Sequence, residues 1–534
     1  LALLRENWCA GRIVLLEPRR LAARAAAGRM ASLLGEMVGE TVGYRMRLDN
    51  RVSSRTRIEV VTEGVFARMV LDDPVLSGIS AVIFDEFHER SLDADFGLAL
   101  ALDVQSALRD DLRILVMSAT LDVERIAALL DEPPVIRSEG RSFPIDIRHR
   151  DRSGSGQGQE RIEDAMTAAI LDAHSQEEGS ILAFLPGQAE ILRTAERLEA
   201  KQREGRLPET VRVVPLYGNL SQKEQDLAIR PARGGERKIV LTTSIAETSI
   251  TIDGVRIVID SGLQRLPVFE PSTGITRLET VRVSRASADQ RAGRAGRTEP
   301  GIAIRLWHAG QTATLPAFTP PQILASDLSG LVLDMAHWGV KDPDALSFLD
   351  PPPGPAFAEA KTLLIQLGAL DADGALSPRG HAMRTIGLPP RLAAMVIASS
   401  DEGYGLEAAM LAVLMTEQGL GGNDVDLDER LRRFFREGGE RADQARKLAR
   451  RMVQAAKGKS TDGGKGAGSG GNSAGISTGI STGTSAARLL MHAYPDRIAL
   501  QRGGRGRFVM ANGRGAELPE TERLAGAPML VIAT

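Results

Sequence analysis

Through its first half the chain repeats one hydropathy pattern: a short β-branched and apolar run, a polar or glycine-bearing turn, then an alanine- and leucine-rich stretch of helical period. That is the rhythm of βα units that build a parallel sheet. The runs at residues 13–16, 81–84, 112–117, 181–185, 211–215, 239–241, 255–259 and 302–306 are the predicted strands. Nearly all run straight into a polar cluster. In open α/β sheets ligands sit beyond the carboxyl ends of the strands, so these clusters are where chemistry is expected. A polar, glycine-bearing break at residues 151–160 separates two such units of comparable size. After about residue 316 helical period takes over, at 328–337, 356–367 and 391–414, while 368–381 reads as the small hairpin of a winged helix. Residues 457–485 are Gly/Ser/Thr-rich, a composition that buries no core and predicts a linker. Short β-like runs follow at 497–501, 507–510 and 529–532, around the Arg/Gly-rich turn 502–507.

The expected organisation is a parallel-sheet domain over 1–150 and a second over 151–315. A winged-helix-like region (316–385), a helical bundle (386–456), the linker (457–487) and the start of a β-rich domain (488–534) follow. A length of 534 residues suits several domains. Hydrophobic residues at 43% and charged residues at 25% are ordinary for a soluble chain, and no apolar run approaches a bilayer span. The lone Cys9 excludes an internal disulfide, and no Cys/His spacing suits structural zinc, which together fit a reducing, cytoplasmic setting. With 66 basic and 69 acidic residues the net charge is −3, so a nucleic-acid partner must be met by a local basic groove. Leu1 in place of an initiator Met, and the apolar end at 530–534, read as the edges of a longer polypeptide.

Three clusters carry candidate chemistry. The run 81–84 leads into Asp85-Glu86-Phe87-His88. One of these carboxylates can hold Mg²⁺ through water and the other can activate a water molecule, although adjacent acids after a strand also occur as plain surface turns. The run 112–117 ends in Ser118-Ala119-Thr120, which brings two hydroxyls to the same edge. The most specific cluster is Gln290-Arg291-Ala292-Gly293-Arg294-Ala295-Gly296-Arg297. As a helix it sets Gln290, Arg294 and Arg297 on one face at i, i+4 and i+7, with Arg291 off it and the glycines leaving room for close approach. A row of guanidinium groups fits the oxygens of a triphosphate. A merely solvated Arg-rich helix would carry Glu/Lys pairs and no glycines.

These residues resemble the DEAH-box helicases, most closely the bacterial HrpB type, which has phenylalanine third in that box. The likeness runs from Glu17-Pro18-Arg19-Arg20 through Thr62-Glu63-Gly64, the Asp85-to-His88 box, 118–120, 184–187 and 243–249 to 290–297. Later segments, Trp338-Gly339-Val340, Leu349-Asp350-Pro351-Pro352-Pro353 and Tyr494-Pro495-Asp496-Arg497, are also similar. The resemblance implies two RecA-like parallel-sheet domains in tandem, then winged-helix and ratchet-like helical regions and the start of a β-rich carboxyl-terminal domain. It implies ATP hydrolysis with Mg²⁺, coupled to movement along single-stranded RNA or DNA, and no membrane partner. By position, Asp85 and Glu86 would serve Mg²⁺ and the attacking water, and Gln290, Arg294 and Arg297 the phosphates and that water. His88, Ser118 and Thr120 would couple hydrolysis to movement, and Asp253 would bind ribose. Arg29 falls where the family stacks an arginine on the base; the alternative is an ordinary surface arginine. Arg19, Arg20, Thr62, Thr243 and Ser244 match positions that hold the nucleic-acid backbone without reading sequence. Residues 266–270 and 276–284 read as a hairpin, either the family's strand-separating element or a plain sheet-edge hairpin.

The departure is the phosphate-binding loop, Gly-x-x-x-x-Gly-Lys-Ser/Thr, which the 534 residues do not contain. Gly458-Lys459-Ser460 imitates its end, but Val453 stands where the first glycine belongs. The chain is therefore expected to be impaired in hydrolysis. The competing reading is a non-catalytic nucleic-acid-binding scaffold.

Overall fold

The computed structural model describes residues 1–46, 49–119, 123–138, 143–152, 160–218, 220, 222–230, 232, 236–247, 252–270, 275–297, 299–417, 419–457 and 485–533. The expectations for Thr120, for most of the break at 151–160 and for most of the linker lie outside these residues. The chain divides into two compact units, the first comprising Leu1–Phe269, Thr276–Ser326 and Asp344–Pro351.

The first unit holds two six-stranded sheets. Strands β1 (Arg12–Glu17), β2 (Val42–Met46), β3 (Asp49–Arg51), β4 (Ile58–Thr62), β5 (Ile79–Phe84) and β6 (Arg113–Val116) stand in the order β3-β2-β4-β1-β5-β6. All neighbours are parallel except β2 and β3. In the second sheet β7 (Ile145–His149), β8 (Ser180–Phe184), β9 (Val211–Leu216), β10 (Arg237–Thr242) and β11 (Val255–Asp260) join β14 (Gly301–Arg305). Their order is β7-β14-β11-β8-β10-β9, all parallel. The expected hairpin is present as β12 (Leu263–Glu270) and β13 (Ile275–Arg282).

All eight predicted runs are strands; β2, β3, β4 and β7 were not anticipated. In β4 the reason is Glu59, a fully buried charge that interrupts the apolar run. Arg12 of β1 and Arg45 of β2 neutralise it at 2.9 and 2.6 Å, a solution available only once the strands are side by side. β7 lies at a sheet edge and is mostly exposed, so its sequence reads as polar. Register brings the motif-bearing strand ends together. Glu17 lies opposite Thr62, Leu16 lies opposite Phe84, and Asp85 N–H donates to the Leu16 carbonyl at 3.1 Å.

The second unit is helical, with one small sheet. Residues 391–414, read as one helix, fold as two, Pro390–Asp401 and Gly405–Thr416, because Gly403 takes the left-handed φ of +90° and ends the first. Gly405–Thr416 is apolar and buried nearly all round, as the centre of a bundle requires. The expected winged-helix hairpin reduces to one antiparallel bridge, Leu370 to Leu376, before the helix Pro378–Ile386, whose first turn is capped by Ser377 accepting from Gly380 N–H at 2.9 Å. Strands β15 (Ile498–Gln501), β16 (Arg507–Met510), β17 (Gly515–Glu517) and β18 (Met529–Val531) form an antiparallel sheet in the order β17-β16-β15-β18. No helix among the described residues is long and apolar enough to cross a membrane.

Candidate nucleotide and nucleic-acid site

β5 is buried at every position but the half-buried Ile83 and ends at Phe84, whose ring makes edge contacts with Phe66 and Phe87 at 5.6 and 6.1 Å between centroids. With rings closing the way forward, the chain turns through two non-glycine left-handed residues, Glu86 (φ +50°) and Arg90 (φ +48°). Such conformations cost about 1–3 kcal/mol each and persist only where the surroundings enforce them. Here Asp85 Oδ1 accepts from Glu86 N–H at 2.8 Å, and Phe87 N–H donates to the Met117 carbonyl at 3.1 Å. Arg90 is fixed by the buried Asp95 at 2.9 Å and by Asp350 at 2.6 Å.

Carboxylates crowd this edge. Desolvation, with the nearby charge of Asp85 and Glu89, raises Glu86 to about 7, while Arg294 and Arg19 oppose the rise. Desolvation also raises Asp85. Glu17 is pushed to about 8 by burial and by Asp85, Glu86, Glu89 and Glu63.

His88 joins the two sheets. Its Nε2 lies 2.7 Å from Gln290 Nε2, and its Nδ1 lies 3.5 Å from Glu86 Oε2 and 3.4 Å from Ala119 N–H. Because Ala119 N–H donates to Nδ1, the proton of the neutral ring rests on Nε2, and the Gln290 side-chain amide turns its oxygen to the ring to accept it. Burial lowers the His88 pKa, which favours this neutral form. The acidic box, Ala119 and the Gln290 helix therefore meet at one imidazole.

The arginine cluster differs from its expected form. The helix is Arg285–Gly293, capped by Ser284, and Arg294 is already its C-cap, so Gln290, Arg294 and Arg297 do not share a continuous helical face. Arg294 is instead aimed by its Nε donating to the Glu247 carbonyl at 2.7 Å. Burial lowers Arg294 to about 9, the charge of Arg297 adds to the shift, and Glu86 opposes it. Gly293 is open, but a Cβ on Gly296 would come within 2.7 Å of the Phe143 carbonyl. That glycine serves the approach of β7 rather than a ligand. Arg291 is buried between Glu247 and Asp260 at 3.0 and 2.8 Å.

The remaining sites scatter. Arg19 crosses to the second sheet, donating to the Ser244 carbonyl at 2.7 Å while pairing with Glu89 at 3.1 Å. Thr62 ends β4, and Thr243 follows β10 at the corresponding edge of the second sheet. Arg20 and Arg29 are exposed on the helix Arg20–Leu34, and Ser118 is exposed after β6. Asp253 is not brought to this edge. It is exposed in the turn before β11, where its charge acts on Lys238 near the start of β10. Sequence reasoning missed Glu247, whose side chain accepts from Arg291 and from the Ser287 hydroxyl and whose carbonyl aims Arg294. Its place inside the 243–249 segment was the available signal.

Comparison with known proteins finds two matching family models and several relatives. Residues 1–129 match the DEAD/DEAH box helicase family and residues 161–299 the helicase conserved C-terminal domain. The chain is 45% identical over 521 residues to the ATP-dependent RNA helicase HrpB of Escherichia coli, covering 98% of this chain and 60% of that protein. It is 36% identical over 397 residues to the probable ATP-dependent RNA helicase DHR2 of Saccharomyces cerevisiae, covering 74% of this chain and 53% of that protein. The crystal structure of the Escherichia coli DEAH/RHA helicase HrpB superposes with a TM-score of 0.85 at 45% identity, covering 99% of this chain and 63% of that one. The chain thus spans under two thirds of the length of these relatives.

Proposed function

The chain belongs to the DEAD/DEAH-box helicase family, and on that premise we propose that it grips single-stranded nucleic acid, RNA by preference, as part of a cytoplasmic machine that couples ATP hydrolysis to movement along the strand. The observation that carries the reading is the joint at His88, where the acidic box of one sheet meets Gln290 of the other. A contact of that kind makes the spacing of the two sheets depend on what occupies the box.

The donor set fits both ATP and Mg²⁺. Asp85 adds its charge to the desolvation of Glu86, and Arg297 adds its charge to the desolvation of Arg294. Each pair brings like charges together, the carboxylates suited to a cation and the guanidinium groups to phosphate oxygens. Asp85 and Glu86, adjacent at the end of β5, would be this chain's contribution to the Mg²⁺ shell. Bound Mg²⁺ supplies charge neutralisation at the phosphates. Glu86, poised near neutrality, takes the proton of the attacking water, and Gln290 orients that water. Arg294 and Arg297 stabilise charge as it develops. Arg29 serves the nucleoside. Arg20, Thr62, Thr243 and Ser244 hold the nucleic-acid backbone, and Arg19 joins them by exchanging Glu89 or the Ser244 carbonyl for a phosphate.

Because the 534 residues lack a Gly-x-x-x-x-Gly-Lys-Ser/Thr loop, this polypeptide by itself should bind nucleic acid yet hydrolyse ATP poorly. Fluorescence anisotropy over a salt series tests the grip: sequence-tolerant binding that weakens as salt rises is expected. Salt-insensitive or strongly sequence-specific binding refutes it. The hydrolytic half is tested in the chain extended upstream by a strand and such a loop, where Glu86→Gln should abolish nucleic-acid-stimulated turnover.

A further inference from the structure

In the helical unit, the helix Glu440–Ala456 carries charge that the fold does not use. Its inward side is Ala442, Ala445, Ala449 and Met452, a stripe at helical spacing that is buried in the bundle. On the opposite side stand Lys447, Arg450 and Arg451, and Lys457 at the helix end lies seven residues beyond Arg450. All four are exposed, and none has an ion pair among the described residues.

The neighbouring helix, Leu427–Arg436, shows the usual fate of arginine in this bundle. Arg433 pairs with Glu429 and Asp424, Arg432 pairs with Glu429, and Arg430 donates to the Leu420 carbonyl. Arg446, on the flank of the longer helix, pairs with Asp443 and donates to the carbonyls of Phe434 and Glu437. Residues 427–457 contain ten Lys/Arg and five Asp/Glu, a local excess in a chain whose net charge is −3. Leaving four like charges on one face without counter-charge costs stability through mutual repulsion, and a polyanion relieves it.

We propose that the face formed by Lys447, Arg450, Arg451 and Lys457 is a second nucleic-acid contact, a sequence-independent seat for the phosphate backbone, distinct from the residues of the helicase motifs. Two features favour a phosphate backbone over an acidic protein. Protein interfaces depend on apolar or aromatic anchors, whereas the residue lying among these cations on the outer face is Gln454. The four cations also spread over about 15 Å of helix, long enough to meet several successive phosphates of one strand.

The test is RNA binding by the 534-residue chain, followed by anisotropy of a fluorescein-labelled 20-nucleotide oligouridylate at several salt concentrations. The charge reversal K447E/R450E/R451E should weaken binding at least about tenfold at low salt and reduce the slope of log K against log salt by about 2, since each single-strand phosphate contact contributes about 0.7. The charge-keeping swap K447R/R450K/R451K should retain the parent slope, and thermal melts should show that both variants fold. An unchanged slope in the reversal overturns the proposal. So does polyglutamate displacing the RNA more effectively than unlabelled RNA of equal charge, which would assign the face to an acidic protein. Arg20→Ala, run in parallel, separates this inference from the motif-borne grip: loss through Arg20→Ala alone overturns the helix face and leaves that grip standing, and loss through the reversal alone does the opposite.

Discussion

Replacing Arg291 with methionine should destabilise the second sheet more than any exposed substitution, although the arginine lies off the expected phosphate face. Its side chain is 1% exposed, with Nε donating to Glu247 Oε2 at 3.0 Å and Nη1 to Asp260 Oδ1 at 2.8 Å and to the Leu263 carbonyl at 3.2 Å. The guanidinium also lies 5.0 Å from the centre of the Phe184 ring. Arg291→Met keeps the stem and removes the charge, leaving two carboxylates, 9% and 2% exposed, without the cation they share. Asp260 Oδ2 already has no hydrogen-bond partner. Breaking a buried pair by deleting one partner costs about 3–5 kcal/mol. At about 2–4 °C per kcal/mol for a domain of roughly 150–250 residues, the melting transition should fall by about 6–20 °C. Differential scanning calorimetry reads this directly. The companion variant R291M/E247Q/D260N removes both orphaned charges and should recover most of the loss, because the cost lies in unpaired charge and not in a missing attraction. A single variant that melts within about 2 °C of the parent, or a triple variant that melts below the single, would refute the reasoning. In the chain extended upstream by a phosphate-binding loop, turnover should fall as well, since Glu247 is held by Arg291 and its carbonyl aims Arg294.

Three further outcomes are expected. In the chain extended to carry a phosphate-binding loop, Arg297→Lys should reduce turnover nearly as far as Arg297→Ala, on the order of 10³-fold, because lysine keeps the charge but loses the planar fork; near-parental steady-state rates with saturating nucleic acid would make the residue structural. Burial raises Glu63 to about 8, with the Ser91 hydroxyl opposing; a carboxyl raised in the folded state contributes stability that is complete below about pH 4.5 and is lost as pH rises through about 8. Urea midpoints should therefore decline from pH 5 to pH 9, and Glu63→Gln should flatten that decline in part, Glu17 supplying the remainder; an unaltered profile contradicts the assignment. Asp350 accepts from Arg90 at 2.6 Å and from Arg125 at 2.8 Å, so Asp350→Ala should cost about 1–3 kcal/mol in the same urea assay, and a loss below about 0.5 kcal/mol would show the bridge to be dispensable.

Much of this protein is legible along the chain. The βα rhythm, the eight apolar strands, the hairpin and the Asp85-Glu86 and Gln290-to-Arg297 clusters follow from hydropathy period and from residue types at short spacing, which local backbone geometry converts directly into position on a strand end or helix face. Whatever depends on a partner distant in sequence was decided by the tertiary structure. β4 was invisible because Glu59 is tolerable in a core only with Arg12 and Arg45 beside it. Arg291 looked peripheral because its two carboxylates lie 44 and 31 residues away. Arg294 is aimed by a backbone carbonyl and not by helix phase, since the helix ends at Gly293. Asp253, expected at the nucleotide, lies instead before β11, near the start of β10. Periodicity reports which side of an element is apolar; it carries no information about which buried charge meets which, because that is settled by the packing of strands and loops that the chain brings together only on folding.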